Sequence, residues 1–344
     1  MPAVTVKDIG WGSYGGYEGP YYAGNHLSRV SLPVKADTLD KYLQVVAVTE
    51  GSNYAAINMY DRMIISVGAI QWGEAIQCSV SNMLGGVAVA VGTDWLESEL
   101  RPALDMTGAV FKKNSTDQWR FFVDGVEVKT LEQQKQLFLG CSGRTGAWTP
   151  EAKERAKTWA ACIASIFSDQ RAQTVQREFT KKQLLSFATQ YAQEQLFTEQ
   201  RNDDWTLAVR AIYISFAANI PATAHTQLKQ HIDGSAYTKW SQDWCISLIK
   251  KLTFGPGIGI YPKRYDKLAP LVMKLWNVTI PATADELQTW EVTPVDQPTP
   301  TPVVPVYVDE PVPPPPPVPV IVVRELTLFE RIVEFILSFF KRTK

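Results

Sequence analysis

The sequence is poor in the residues that bind metals. Three histidines and four cysteines (Cys78, Cys141, Cys162 and Cys245) are scattered over 344 residues without a CxxC pair. That excludes an ordinary Cys/His zinc site, and no metal or other cofactor is expected. The cysteines read as buried thiols of a reducing compartment. An excess of charge of one sign is also missing: 34 Lys+Arg against 35 Asp+Glu leave a net charge of −1. No global field draws the chain to a polyanion, so nucleic acid is not an expected partner. Nor is there an uncharged apolar run of about 18 residues, the usual minimum for a membrane span. The opening MPAVTVKDIGWGSYGG lacks the basic and then apolar segments of a secretory signal. A soluble chain made in the cytoplasm is therefore expected. What is present, 45 % hydrophobic and 11 % aromatic residues, suffices for one large core or two small ones.

Residues 1–36 are rich in Gly and Tyr, are broken by Pro20 and Pro33, and read as an irregular N-terminal arm. From Asp37, a candidate N-cap, the pattern turns helical: Leu39, Tyr42, Leu43, Val46 and Ala47 recur at helical spacing up to Glu50-Gly51. Met63 to Ile70 suggests a short hairpin. Further helices are predicted near 73–84, 95–107, 130–139, 150–168, 170–197, 205–217, 222–231, 237–252 and 264–275. Asp124-Gly125, between apolar runs, predicts a second hairpin over 119–128. The fold class is thus mainly α (α+β), with residues 37–292 as the main domain. Residues 293–322 hold twelve of the 22 prolines, five of them consecutive, and form an extended linker. Residues 323–344 return to helical patterning: Leu328, Phe329, Ile332, Val333, Phe335, Ile336, Phe339 and Phe340 make an apolar stripe opposite Glu330, Arg331 and Glu334. This amphipathic helix must bury its stripe by docking on a partner or lying in a membrane surface.

The densest chemical signal is VVAVTEGSNYAAINMYDRMIISVGAIQW, residues 45–72. Desolvation favours a protonated carboxyl, and Glu50 at the end of an apolar helix is placed to serve as a general acid. Asp61 follows at the entrance to the hairpin, so the two carboxylates could face each other across a cleft, the usual arrangement for glycoside cleavage. Asn53, Tyr54, Asn58, Tyr60, Ser66, Gln71 and Trp72 add hydroxyls, amides and ring faces suited to a polysaccharide. Asn219, near the end of the apolar segment RAIYISFAANIP, is a further candidate for the cleft.

At Glu50-Gly51, Tyr54, Ile57-Asn58, Tyr60-Asp61 and Ser66-x-Gly68-x-x-Gln71-Trp72 the chain resembles the lysozyme-like superfamily, in particular phage-type muramidases and related transglycosylases. It is longer than the simpler phage enzymes, ends the motif differently at Gln71-Trp72, and lacks their basic charge. The resemblance implies a lysozyme-like helical domain with a small β-hairpin after the catalytic helix. It also implies cleavage of the β-1,4 bond between N-acetylmuramic acid and N-acetylglucosamine in peptidoglycan strands, with Glu50 as proton donor. An enzyme of this kind without a secretory signal reaches the wall either as a phage endolysin or tethered to a phage particle or contractile injection system, and residues 293–344 favour the tether. The competing class is a non-enzymatic glycan-binding or structural adaptor protein of such a particle. An open cleft around Glu50 favours the enzyme, and a surface salt bridge favours the adaptor.

Other motifs carry less. Gly255-Pro256-Gly257-Ile258-Gly259 lacks the strand-then-helix setting of a phosphate loop. Gly140-Cys141-Ser142-Gly143 has no histidine nearby in sequence to activate a nucleophile. His225 and His231, six residues apart, fall on different faces of a helix.

Overall fold

The computed structural model describes residues 4–75, 78–190, 203–219, 221–255 and 261–291. The expected linker 293–322, the expected helix 323–344 and residues 256–259 of the glycine-rich turn lie outside them. Everything described falls in one compact unit, Met1–Val295, and is mainly helical with small antiparallel sheets.

Helix α1 (Thr38–Glu50) starts where the sequence places it, on Asp37. The Asp37 carboxylate accepts the Asp40 N–H at 2.8 Å, and Asp40 accepts the Asp37 N–H at 3.0 Å, satisfying donors that a helix start otherwise leaves orphaned. The stretch before it is not an irregular arm. It forms β1 (Gly10–Tyr14) and β2 (Tyr17–Tyr22), joined through Gly15-Gly16 with φ of +59° and +81°, a turn that residues without a Cβ make at no steric cost. After α1 come β3 (Ile57–Asn58), β4 (Ser66–Val67) and β5 (Trp72–Gly73). The five strands form one antiparallel meander in chain order, so the expected hairpin is the inner part of a sheet that the N-terminal strands extend.

Helix α2 (Ser79–Val91) begins later than the expected 73–84 because β5 continues to Gly73. The cap of α2 is supplied by Glu74, whose fully buried carboxylate accepts the Ser81 N–H at 2.9 Å and the Ser81 hydroxyl at 2.5 Å. Next come α3 (Thr93–Thr107) and a three-stranded sheet of β6 (Ala109–Lys113), β7 (Trp119–Val123) and β8 (Val126–Glu127). Asp124-Gly125 makes the β7–β8 turn, as expected, and β6 adds a strand that the sequence did not reveal. Helices α4 (Leu131–Phe138) and α5 (Pro150–Ser168) complete one core with the two sheets. A second core gathers α1 with α7 (Asp204–Asn219), α8 (Pro221–Gly234), α9 (Gln242–Phe254), α10 (Tyr261–Trp276) and the short α11 (Ala284–Thr289). The central helix is α7, buried from Ala208 to Ala217, as its uninterrupted apolar sequence requires.

Helix α6 (Gln170–Gln190) joins the cores: Ala172 belongs to the first and Leu184 to the second. Between them the fully buried Gln176 accepts the Ala69 N–H at 3.1 Å and donates to the Tyr54 carbonyl at 3.0 Å. Gly68 lies against this amide with φ +84°, and a Cβ there would come within 2.2 Å of Gln176 Oε1. Arg177 and Lys181 then reach back to Asp40 at 2.7 and 3.1 Å. Burial alone would raise the Asp40 carboxyl, but hydrogen bonds from Arg177, the Asp37 backbone and Lys181 outweigh it and hold the group below its ordinary range.

Of the thiols expected to be buried, Cys162 and Cys245 are, whereas Cys78 and Cys141 are only half-buried because they sit in turns. His231 is buried with Nε2 3.1 Å from the Trp244 carbonyl, and burial lowers it to about 4. No cluster of His, Cys, Asp and Glu among the described residues could hold a metal.

Two consequences can be measured. Gln176→Ala strands two buried backbone groups and should cost about 2–3 kcal/mol, read as a lower urea midpoint. Burial pushes Glu74 up from 4.5 to about 7 against the hydrogen bonds from Ser81. The unfolded chain ionises this group first, so its contribution to stability is full below pH 4.5 and disappears as pH rises to about 7. Glu74→Gln should remove a pH-dependent component of roughly 3 kcal/mol from the difference between unfolding free energies at pH 4.5 and pH 8.

Candidate active site

Helix α1 closes with the Thr49 hydroxyl donating to the Val46 carbonyl at 2.9 Å, and both Gly51 N–H (3.0 Å) and Ser52 N–H (2.8 Å) returning to the Ala47 carbonyl. This double closure stops the helix at Glu50 and turns the chain toward the sheet. The Glu50 side chain is 16 % exposed and meets Arg264 Nη2 of α10 at 2.6 Å; Arg264 is 9 % exposed. The other Arg264 nitrogen, Nη1, donates to Thr49 Oγ1 at 3.0 Å and to the Ser215 carbonyl of α7 at 3.1 Å. The guanidinium therefore ties three helices together at the residue singled out from sequence. This is not the solvated pair of a surface helix, nor is it an empty cleft.

Asn219, at the end of α7, joins the same cluster: its Nδ2 donates to Glu50 Oε1 at 3.5 Å, and its Oδ1 accepts the Tyr261 hydroxyl at 3.3 Å. Burial pushes the Tyr261 phenol up; Arg264 acts against that shift and Glu50 adds to it. Among the described residues, every bond to the Glu50 carboxylate falls on Oε1. Oε2 makes no hydrogen bond among the described residues. On the sheet side, Gln71, at φ +56°, donates to the Gly68 carbonyl at 3.0 Å. Its Nε2 lies 3.2 Å from where a Gly51 Cβ would stand. The β4–β5 turn thus closes over the helix end, and Glu50 sits where the two cores meet.

The other residues named from sequence divide into two groups. Asn53 is buried and committed: its Oδ1 accepts the Ser28 hydroxyl at 2.6 Å and the Ala55 N–H at 3.0 Å, while Nδ2 donates to the Asn25 carbonyl at 2.7 Å. Tyr54 is buried in the helical core, which pushes its phenol up to about 12. Trp72 packs edge-on against Phe179 at 4.9 Å and donates to Thr180 Oγ1 at 3.1 Å. Asn53 thus ties the chain after α1 to the 25–28 turn, Tyr54 packs in the helical core and Trp72 fastens the sheet to α6. Asp61 is fixed locally: Oδ1 accepts the Met63 N–H at 2.7 Å and Oδ2 the Ser66 hydroxyl at 3.4 Å. Burial raises its carboxyl against those two bonds and against Arg62. Ser66 is buried beneath it, and Asn58 and Tyr60 are half-buried alongside.

Sequence reasoning missed Arg264 and Tyr261. Arg264 stands among Lys263, Asp266 and Lys267, which reads as a solvated helix face, and its partner lies 214 residues away. The nucleophile reading gains nothing: burial raises the Cys141 thiol, which accepts the Gly143 N–H within its own turn.

Arg264→Ala should cost about 3 kcal/mol by leaving the shielded carboxylate without its counter-charge. Arg264→Lys should recover only part of this, since an ammonium cannot span Glu50, Thr49 and Ser215 together; denaturant midpoints of both variants check it. No family profile, curated protein or solved structure matches the chain, so the site is read from its own residues.

Proposed function

We propose that this domain is a peptidoglycan glycosidase of muramidase type, with Glu50 as the general acid for the β-1,4 bond between N-acetylmuramic acid and N-acetylglucosamine. The observation that carries this reading is the asymmetric hold on Glu50. Arg264 and Asn219 fix Oε1 at the end of α1, under a turn from the neighbouring sheet, and Oε2 stays unbound among the described residues. An acid fixed in orientation is what proton transfer to a glycosidic oxygen needs. Asp61, raised by burial and held by Met63 and Ser66, is the candidate for the second carboxyl group. Whether it steers water or stabilises the sugar cation decides between hydrolysis and the transglycosylase route to a 1,6-anhydro end.

The ion pair itself favours a second reading. In a non-enzymatic glycan-binding or structural adaptor, Glu50 and Arg264 would serve only as a clamp between α1, α7 and α10. Delivery as an endolysin, or tethering to a particle through 293–344, concerns residues outside those described. No described helix is long and apolar enough to cross a membrane.

The experiment is turbidity loss of permeabilised cell walls, comparing the full chain with Glu50→Gln and analysing the fragments by mass spectrometry. Clearing by the parent, reduced at least about a hundredfold in Glu50→Gln, is the expected result. Reducing N-acetylmuramic ends mark hydrolysis and anhydro ends mark transglycosylation. No clearing by the parent across several wall types would shift the assignment to the adaptor.

A further inference from the structure

The five-stranded sheet has one face in the core; the other is covered at Ser66 and Gly73 and open at Tyr21. Directly paired residues share a face, so Tyr21, Asn58, Ser66 and Gly73 form a row across β2 to β5. Tyr22, Ile57, Val67 and Trp72 point the other way, into the core. On β1 and β2 the outward row continues through Gly10, Gly12 and Gly19. These glycines make a floor. A Cβ on Gly10 would stand 2.7 Å from the Tyr21 ring, and one on Gly12 would stand 3.1 Å from the Tyr60 ring. The two rings meet edge to face, with centroids 6.1 Å apart and planes at 83°. Tyr21 is thus seated on backbone and braced by Tyr60, yet remains 40 % exposed. A ring fixed in this way loses little conformational freedom when something stacks on it.

The surroundings indicate what that would be. Asn58 Oδ1 accepts the Tyr60 N–H at 2.9 Å, leaving its Nδ2 as a donor, and Asp61 lies beyond it over the buried Ser66. An exposed ring face bordered by an amide and a carboxylate suits a pyranose, with its apolar C–H face and polar rim, better than an aliphatic protein surface. We propose that Tyr21 and Tyr60 form a sugar-stacking subsite for a polymeric amino-sugar strand, beside Asn58 and Asp61. The subsite explains why the N-terminal hairpin is joined to this sheet, and its choice of ligand rests on the glycosidase reading.

The test uses the full chain carrying Glu50→Gln, so that substrate is not consumed, and measures co-sedimentation with purified, protein-free peptidoglycan sacculi. Adding Tyr21→Ala should weaken binding about tenfold, and adding Tyr21→Phe should retain it. Thermal unfolding is run beside both variants to show that the sheet is intact. Binding unchanged by Tyr21→Ala, or lost equally in Tyr21→Phe, would overturn the stacking subsite, as would failure of the Glu50→Gln chain to bind sacculi. The two readings separate cleanly. Wall clearing by the parent with no effect of Tyr21→Ala on binding removes the subsite and leaves the glycosidase. Tyr21-dependent binding without clearing keeps the subsite and removes the glycosidase.

Discussion

A buried amide that is fully paired can hold two cores in register where apolar contact alone would let them slide. Gln176 does this from the middle of α6, taking the Ala69 N–H from the sheet side and giving its own N–H to the Tyr54 carbonyl beyond the end of α1. Each of those backbone groups would otherwise be desolvated without a partner, at a cost comparable to a lost hydrogen bond. The position of the β4–β5 turn over Glu50 follows from it, because Ala69 and Gly68 belong to that turn. The ion pairs from Arg177 and Lys181 to Asp40 repeat the constraint at the opposite end of α1. The spacing between Glu50 and the sheet is therefore set by α6, which contributes no chemistry to the site itself.

Much of the helical framework could be read in the sequence because capping and periodicity are local. Asp37 before α1, Asp124-Gly125 between β7 and β8 and the apolar run of α7 each carry their instruction within a few residues. The N-terminal hairpin was illegible for a physical reason: glycine reads as a break, and only Gly15 and Gly16 act as a turn, while Gly10, Gly12 and Gly19 make room for rings. At the site, Glu50 was visible because it ends an apolar helix before a glycine, and Asn219 because it ends another. Arg264 was invisible, since its function depends on a neighbour far away in the chain. Asn53, Tyr54 and Trp72 show the opposite error: side chains with the right chemistry near the right place were consumed by packing.

Two buried titrating groups lie in different cores and respond to acid in opposite directions. Glu74 adds stability to the sheet side as pH falls from about 7 toward 4.5. His231, held neutral by burial, loses stability for the helical side as pH falls from 6.5 toward about 4. Their effects on the whole unit offset each other through mildly acid conditions, while the balance between the cores shifts.

The helical core is discontinuous in the chain: it takes α1 from near the start and α7 to α11 from the far end, with most of the other core encoded between them. Closing a loop of this size is entropically unfavourable until the distant helices arrive. On a ribosome, the sheet side and α2 to α5 are complete in sequence while α1 still lacks its packing partners, and domains fold as their segments emerge. Glu50 then waits for Arg264, and the site is among the last features to assemble. A chain cut short before α10 would carry the whole five-stranded sheet while Glu50 still lacked the guanidinium that fixes it, so order of synthesis alone separates the open end of the sheet from the fixed carboxylate.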